Sequence, residues 1–141
     1  MTKIVVDTSV IVSALIDKAG PSREILRRCL TGEYKPVISA TLFMEYQDMY
    51  QRPKVPKICP LESLEIKDLL NAFYSVCGWI QIHYLWRPKL KGENDNFLVE
   101  LAMASNARFI VTNNIRDLSG AELAFDGLLK VVKPEQLLRG K

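Results

Sequence analysis

Short β-branched runs alternate with helical stretches along this chain, and that alternation constrains its fold more than any other feature. Lys3 to Val6 has the composition of a strand buried on both faces. Asp7-Thr8-Ser9 follows with helix-capping side chains, and Val10 to Ile16 continues as a helix. Gly20-Pro21-Ser22 breaks that helix and starts another over Arg23 to Leu30, which Gly32 ends. Pro36 to Ser39 predicts a second strand, with a helix from Ala40 to Gln51 directly behind it. Helices are then expected over Leu61 to Val76 and Asn94 to Ser105, and strands over Trp79 to His83, Phe109 to Thr112 and Leu129 to Val132, before a short terminal helix. Strands alternating with helices predict an α/β chain whose parallel sheet is covered on both faces. Sheets of that class take their ligands at the carboxyl ends of the strands.

Composition narrows the class further. Arg52-Pro53-Lys54-Val55-Pro56-Lys57 is a proline-punctuated loop and not a domain linker, because each flank is too short to fold alone. Residues 1–141 are therefore expected to form one domain, and an apolar fraction of 48% supplies its core and excludes general disorder. Lys and Arg total 19 and Asp and Glu total 16, so the net charge of +3 permits an anionic partner without demanding one. Cys29, Cys59 and Cys77 contain no C-x-x-C pair, which argues against a disulfide framework and a thiolate zinc site. His83 is the only histidine, so a histidine-based zinc site is excluded, and its place after a strand-like run suits a structural or surface role. The apolar stretch from Ile4 to Ile16 is interrupted by Asp7, unlike a secretory segment, and no run reaches the ~18 apolar residues of a membrane span. The expectation is a soluble cytoplasmic chain with no membrane partner.

The acids become informative once placed on this scaffold. Asp7 is the first residue after the first strand, where it serves either as a helix N-cap or as a site carboxylate, and the two roles are compatible. Glu45 borders the apolar stripe of Leu42, Phe43, Tyr46, Met49 and Tyr50, while Asp48 lies further round in solvent. Taken alone, Glu45 reads as a helix-surface glutamate. Asp95 shares a helical face with Leu98 and Ala102 and points toward the sheet, although an acid in a first turn also suits the helix dipole. Glu93 is a neighbouring carboxylate able to replace it. Thr112-Asn113-Asn114-Ile115-Arg116-Asp117 follows the fourth strand, where such residues also build turns. Carboxylates gathered at one sheet edge repel unless a cation lies among them, and oxygen ligands select Mg²⁺ or Mn²⁺. Such a site suits phosphodiester hydrolysis and needs no histidine.

These residues fall in the order of a known family. Ile-Val-Val-Asp7-Thr8-Ser9-Val-Ile-Val-Ser-Ala, then Ile38-Ser39 with Glu45-Tyr46 and Arg52-Pro53, then Glu93-Asn94-Asp95-Asn96-Phe97-Leu98 with Glu100-Leu101-Ala102, then Val111 to Leu118, resemble the PIN domain. Within it the chain looks most like the bacterial VapC-like branch, the toxin components of toxin–antitoxin systems. The resemblance runs from residue 3 to about 133, and the four weak blocks together are specific. It implies a Rossmann-like three-layer α/β/α sandwich with a parallel sheet of about five strands. By analogy, Asp7, Glu45 and Asp95 form an acidic triad that holds Mg²⁺ or Mn²⁺ and orients the attacking water; Asp117, three residues past Asn114, is the candidate for a fourth metal ligand in place of the family's Asp. Thr8 and Thr112 match the family's hydroxyl positions, which support the ligands or face phosphate, and Ser9 and Asn114 are assigned the same role. The implied activity is endonucleolytic cleavage of RNA, and an antitoxin partner and a homodimer are family expectations.

Two positions depart from the pattern. Ser9 stands where Asn is usual, which is expected to loosen a hydrogen bond that orients a ligand, and Asn114 stands where many members carry a fourth Asp. They favour the alternative reading, a catalytically weak or inactive PIN fold that binds RNA or protein without cutting. A phosphohydrolase of the haloacid dehalogenase type also begins with Asp after a first strand, but it wants a second Asp where this chain has Ser9. Candidate substrate contacts are Arg87, Lys89 and Lys91, with Trp86 beside them able to stack on an unpaired base; ordinary solvated loop charge is the plain alternative, there and at Arg52, Lys54 and Lys57.

Overall fold

The computed structural model describes residues 2–51, 63–82, 96–118 and 128–140. Strand β1 is Thr2–Val6, followed by helices α1 (Thr8–Ile16) and α2 (Pro21–Leu30). Strand β2 (Tyr34–Ile38), helix α3 (Ala40–Gln51), helix α4 (Ser63–Val76) and strand β3 (Gly78–Trp79) come next. Helix α5 (Asn96–Ser105), strand β4 (Phe109–Val111), a 3₁₀ turn (Ile115–Leu118), strand β5 (Lys130–Val132) and helix α6 (Pro134–Leu138) complete the described order.

The five strands form one sheet in the order β3-β2-β1-β4-β5, with every pairing parallel. This is the α/β architecture expected, a five-stranded parallel sheet flanked by helices. The sheet grows from β1 through β2 to β3, then crosses back so that β4 and β5 extend it on the other side of β1. The strand order therefore reverses between β1 and β4, which opens a crevice beyond their carboxyl ends. The register there is tight: Val5 lies opposite Ile110 and Val6 opposite Val111.

The core follows from the composition of the strands. Ile4, Val5 and Val6 are fully buried, as are Ile110 and Val111, because helices cover both faces of the sheet. Helix α1 adds Val10, Ile11, Ala14 and Leu15; α3 adds Leu42, Tyr46 and Met49; α5 adds Leu98, Leu101 and Ala102. At the amino edge, Lys3 Nζ donates to the Ser105 carbonyl at the end of α5, and Lys35 Nζ to the Val76 carbonyl at the end of α4, each at 3.1 Å. Two cations thereby satisfy the unpaired carbonyls of helix C-termini.

Several boundaries differ from expectation. Helix α1 begins at Thr8, so Thr8 and Ser9 stand inside the helix and not before it. The third strand is Gly78–Trp79 and does not run to His83. The Ile80 amide still donates to the Ile38 carbonyl at 2.8 Å, but β2 ends there and α3 starts at Ala40. Among the described residues no neighbouring strand remains to extend the ladder. His83, Cys59 and the loop at residues 52–57 lie outside the described residues. Cys29 and Cys77 are free and buried, and burial pushes both thiols up to about 12, so neither is a ready thiolate. No helix among the described residues is long and apolar enough to cross a membrane.

Candidate active site

Asp7 continues β1 by one residue: its amide donates to the Val111 carbonyl at 2.9 Å, across the point where the strand order reverses. Its extended backbone (φ −68°, ψ 152°) makes it the N-cap residue of α1, and its carbonyl accepts from the Val10 amide at 3.0 Å. The side chain, however, makes no capping hydrogen bond. The capping role expected for the carboxylate is therefore not used, and the carboxylate turns to other partners.

Those partners are hydroxyls. Asp7 Oδ2 accepts from Thr112 Oγ1 at 2.6 Å and from Ser9 Oγ at 2.9 Å, while Oδ1 has only a long contact to Thr8 Oγ1 at 3.4 Å. Each hydroxyl carries a single proton, so its direction follows from what it accepts. Thr112 Oγ1 accepts from the Asn114 amide at 3.0 Å, and Ser9 Oγ accepts from the Asn113 amide at 3.1 Å. Both protons are left to point at Asp7. Thr112 is fully buried and Asp7 nearly so, at 6% exposure, so this pair of bonds is shielded from competing water. Oδ2 thus takes two close neutral donors, while Oδ1 meets only the long Thr8 bond among the described residues.

The turn after β4 is fastened to α1 by a residue that sequence reading passed over. Asn113 Nδ2 donates to the Ser9 carbonyl at 3.2 Å and to Ser13 Oγ at 3.0 Å. Asn114, singled out from its family position, is exposed and contributes its backbone amide. The i, i+4 spacing of Ser9 and Ser13 on one helical face was the available signal for Asn113. Ser9, the position expected to loosen a bond that orients a ligand, donates its hydroxyl to Asp7 Oδ2.

Tyr46 was read as part of an apolar stripe, and it is buried, with its ring 6.0 Å from that of Phe73 in an edge-to-face contact. It does more than pack. Its hydroxyl donates to the Val6 carbonyl, one residue before Asp7, and so ties α3 to the carboxyl end of β1. Burial holds the phenol pKa well above its ordinary value, with the nearby Cys77 and Asp7 adding to the shift, so Tyr46 remains a donor. Tyr46→Phe is expected to lower stability by about 1–2 kcal/mol, read as a shift of the urea midpoint without a change in slope. An unchanged midpoint would mean that this bond does not fasten α3.

Glu45 precedes Tyr46 on the anchored helix, is half-buried, and has no hydrogen-bond or ion-pair partner among the described residues. Asp7 likewise has no ion-pair partner among them. Asp117 lies in the 3₁₀ turn, with its side chain outside the described set. Asp95, Glu93, Arg87, Lys89 and Lys91 also lie outside the described residues. Among those described, no three acidic, histidine or cysteine side chains gather as metal ligands.

The sequence matches the family model of the PIN domain over residues 3–116. The chain belongs to the PIN domain family. The matched span contains Asp7, Glu45, Asp95 and Thr112 and stops one residue before Asp117. As a PIN fold it is similar to a chain in the crystal structure of VapBC2 from Rickettsia felis bound to a DNA fragment from their promoter. The TM-score is 0.59 at 20% sequence identity, covering 92% of this chain and 97% of that one, a likeness of fold. No curated protein matches the sequence.

Proposed function

We propose that this PIN protein is a metal-dependent endoribonuclease, the toxin of a toxin–antitoxin pair acting in the cytoplasm. The observation that carries the reading is the Asp7 carboxylate at the strand-order reversal, one oxygen held by Thr112 and Ser9 and the other met only by the long Thr8 bond among the described residues. An acid held this way and without a cationic partner among the described residues fits a hard divalent ion, Mg²⁺ or Mn²⁺, which takes oxygen ligands. Asp7, Glu45 and Asp95 would hold it, with Asp117 as a further ligand. Bound there, the ion supplies activation of the attacking water and neutralises charge building on the phosphate.

The chain's own residues do the rest. Thr112 and Ser9 fix the rotamer of Asp7, so the carboxylate is in place before substrate arrives. Asn113 holds the turn that carries Thr112 against α1, and Tyr46 sets the helix that carries Glu45. Arg87, Lys89 and Lys91 are assigned to the RNA backbone. An antitoxin protein and a second copy of the chain are the proposed partners. The bond from Ser9 to Asp7 favours the cutting enzyme over a binding module, because Ser9 departs from the family pattern and still orients the carboxylate.

The test is incubation of purified protein with a 5′-labelled single-stranded RNA and Mn²⁺. Discrete fragments that disappear on adding a chelator are expected. Intact RNA at every Mn²⁺ concentration would overturn the assignment in favour of the binding module.

A further inference from the structure

The amino edge of the sheet, opposite the carboxylate site, carries two adjoining cavities of different chemistry. The first has a volume of about 310 Å³ and is lined by Thr2, Tyr34, Arg108 and Lys130, with Leu128 and Leu137 among its apolar walls. The second, about 490 Å³, is walled by Met103, Asn106, Ala107 and Leu129. Arg108 and Leu128 line both, so they form the shared border. Volumes of this order suit a small organic ligand.

The cations at this edge are not equivalent. Lys3 and Lys35 are engaged with the C-terminal carbonyls of α5 and α4. Arg108 and Lys130 are exposed and have no ion-pair or side-chain hydrogen-bond partner among the described residues. The Arg108 guanidinium lies 5.9 Å from the centre of the Phe109 ring, which limits its freedom without using its donors. Both line the first cavity, and their backbones are joined: the Lys130 amide donates to the Arg108 carbonyl at 2.9 Å. None of the described residues lining either cavity is acidic.

We infer that this edge binds a nucleoside phosphate, with the phosphate on Arg108 and Lys130 and the base in the cavity walled by Met103 and Asn106. Arg108, Lys130 and the hydroxyls of Thr2 and Tyr34 are donors of the kind a phosphate needs, presented from strands β1, β2 and β5 and from the residue before β4. The neighbouring cavity offers apolar walls for the faces of a base. Its one amide, on Asn106, carries two donors and an acceptor for a base edge. Asn106 is held in the left-handed region at φ 59°, just past the end of α5, which fixes where its side chain starts. Leu128, 81% exposed, is the apolar side chain that a bound nucleoside would cover.

The same chemistry is offered by a free nucleotide and by the phosphorylated end of an RNA, and this inference does not rest on cleavage at Asp7. The experiment is an NMR titration of the ¹⁵N-labelled full chain with 5′-AMP, 5′-GMP, 5′-CMP, 5′-UMP, inorganic phosphate, unphosphorylated nucleosides and an acidic peptide. A trinucleotide is added with and without its 5′-phosphate, in magnesium-free buffer with chelator so that no RNA is cut. Saturable shifts at Arg108, Asn106 and Lys130 are expected with at least one nucleotide, and Arg108→Ala with Lys130→Ala should weaken its binding by about tenfold or more. Tighter binding of the 5′-phosphorylated trinucleotide than of free nucleotides identifies an RNA end as the source; the reverse identifies a free nucleotide. The exposed positions of both residues keep the double variant folded, and an unchanged spectrum outside this edge verifies that. The inference is overturned by the absence of saturable shifts, by phosphate or nucleosides binding as tightly as nucleotides, by tighter binding of the acidic peptide, or by unchanged affinity in the double variant.

Discussion

Asp7→Asn should lower the rate of Mn²⁺-dependent RNA cleavage by about 10³-fold or more while leaving the fold intact. The amide has nearly the shape of the carboxylate and keeps one oxygen able to accept a hydroxyl, so the contacts from Thr112 and Ser9 are altered and not abolished. What disappears is the negative charge at the strand-order reversal. A neutral amide is a poor ligand for Mg²⁺ or Mn²⁺ beside a carboxylate, and the loss is largest when charge builds on the phosphate. Single-turnover cleavage of a labelled RNA, with the thermal midpoint of each protein measured alongside, separates chemistry from folding. Equal rates for the variant and the parent would place the cutting activity outside this site.

Thr112→Val is the second large effect, and its signature differs. Valine matches threonine in volume but has no hydroxyl, so Asp7 Oδ2 loses its 2.6 Å donor and the Asn114 amide loses its acceptor. Thr112 is fully buried, so water is poorly placed to replace either bond. Removing a group that orients a ligand costs about 10–100-fold in metal affinity or activity. The apparent Mn²⁺ requirement should therefore rise by about that factor, with most of the rate recovered at high Mn²⁺. Thr112→Ser, which keeps the hydroxyl, should stay near the parent. A valine variant with the parent's Mn²⁺ requirement would show that the hydroxyl does not position Asp7 for an ion.

Much of this architecture could be read from the residues. The run Ile4-Val5-Val6 has no polar position to face water, which suits a strand covered on both faces, and it is fully buried. The change from β-branched runs to helical stretches located most elements, because period and breakers act locally. The third strand was overextended since its length depends on where β2 stops, which is a tertiary fact. The same holds at the site. Asp7 was identifiable from its place after β1, yet its preference for Thr112 over the helix amides depends on a residue 105 positions away. Tyr46 showed only its apolar period, and the bond from its hydroxyl to Val6 depends on how α3 crosses the sheet. Asn113 and Asn114 are chemically identical, and the turn geometry decides which amide reaches α1.

Whether Asp7 serves a divalent ion is tested without any RNA by Mn²⁺ binding followed by electron paramagnetic resonance. Titration of the parent protein should deplete the free Mn²⁺ signal until one or two sites are filled, an approximate stoichiometry for carboxylate nuclease sites. Asp7→Asn should remove that depletion over the same range. Saturable binding that is identical in parent and variant, or no binding by the parent at millimolar Mn²⁺, would contradict the account.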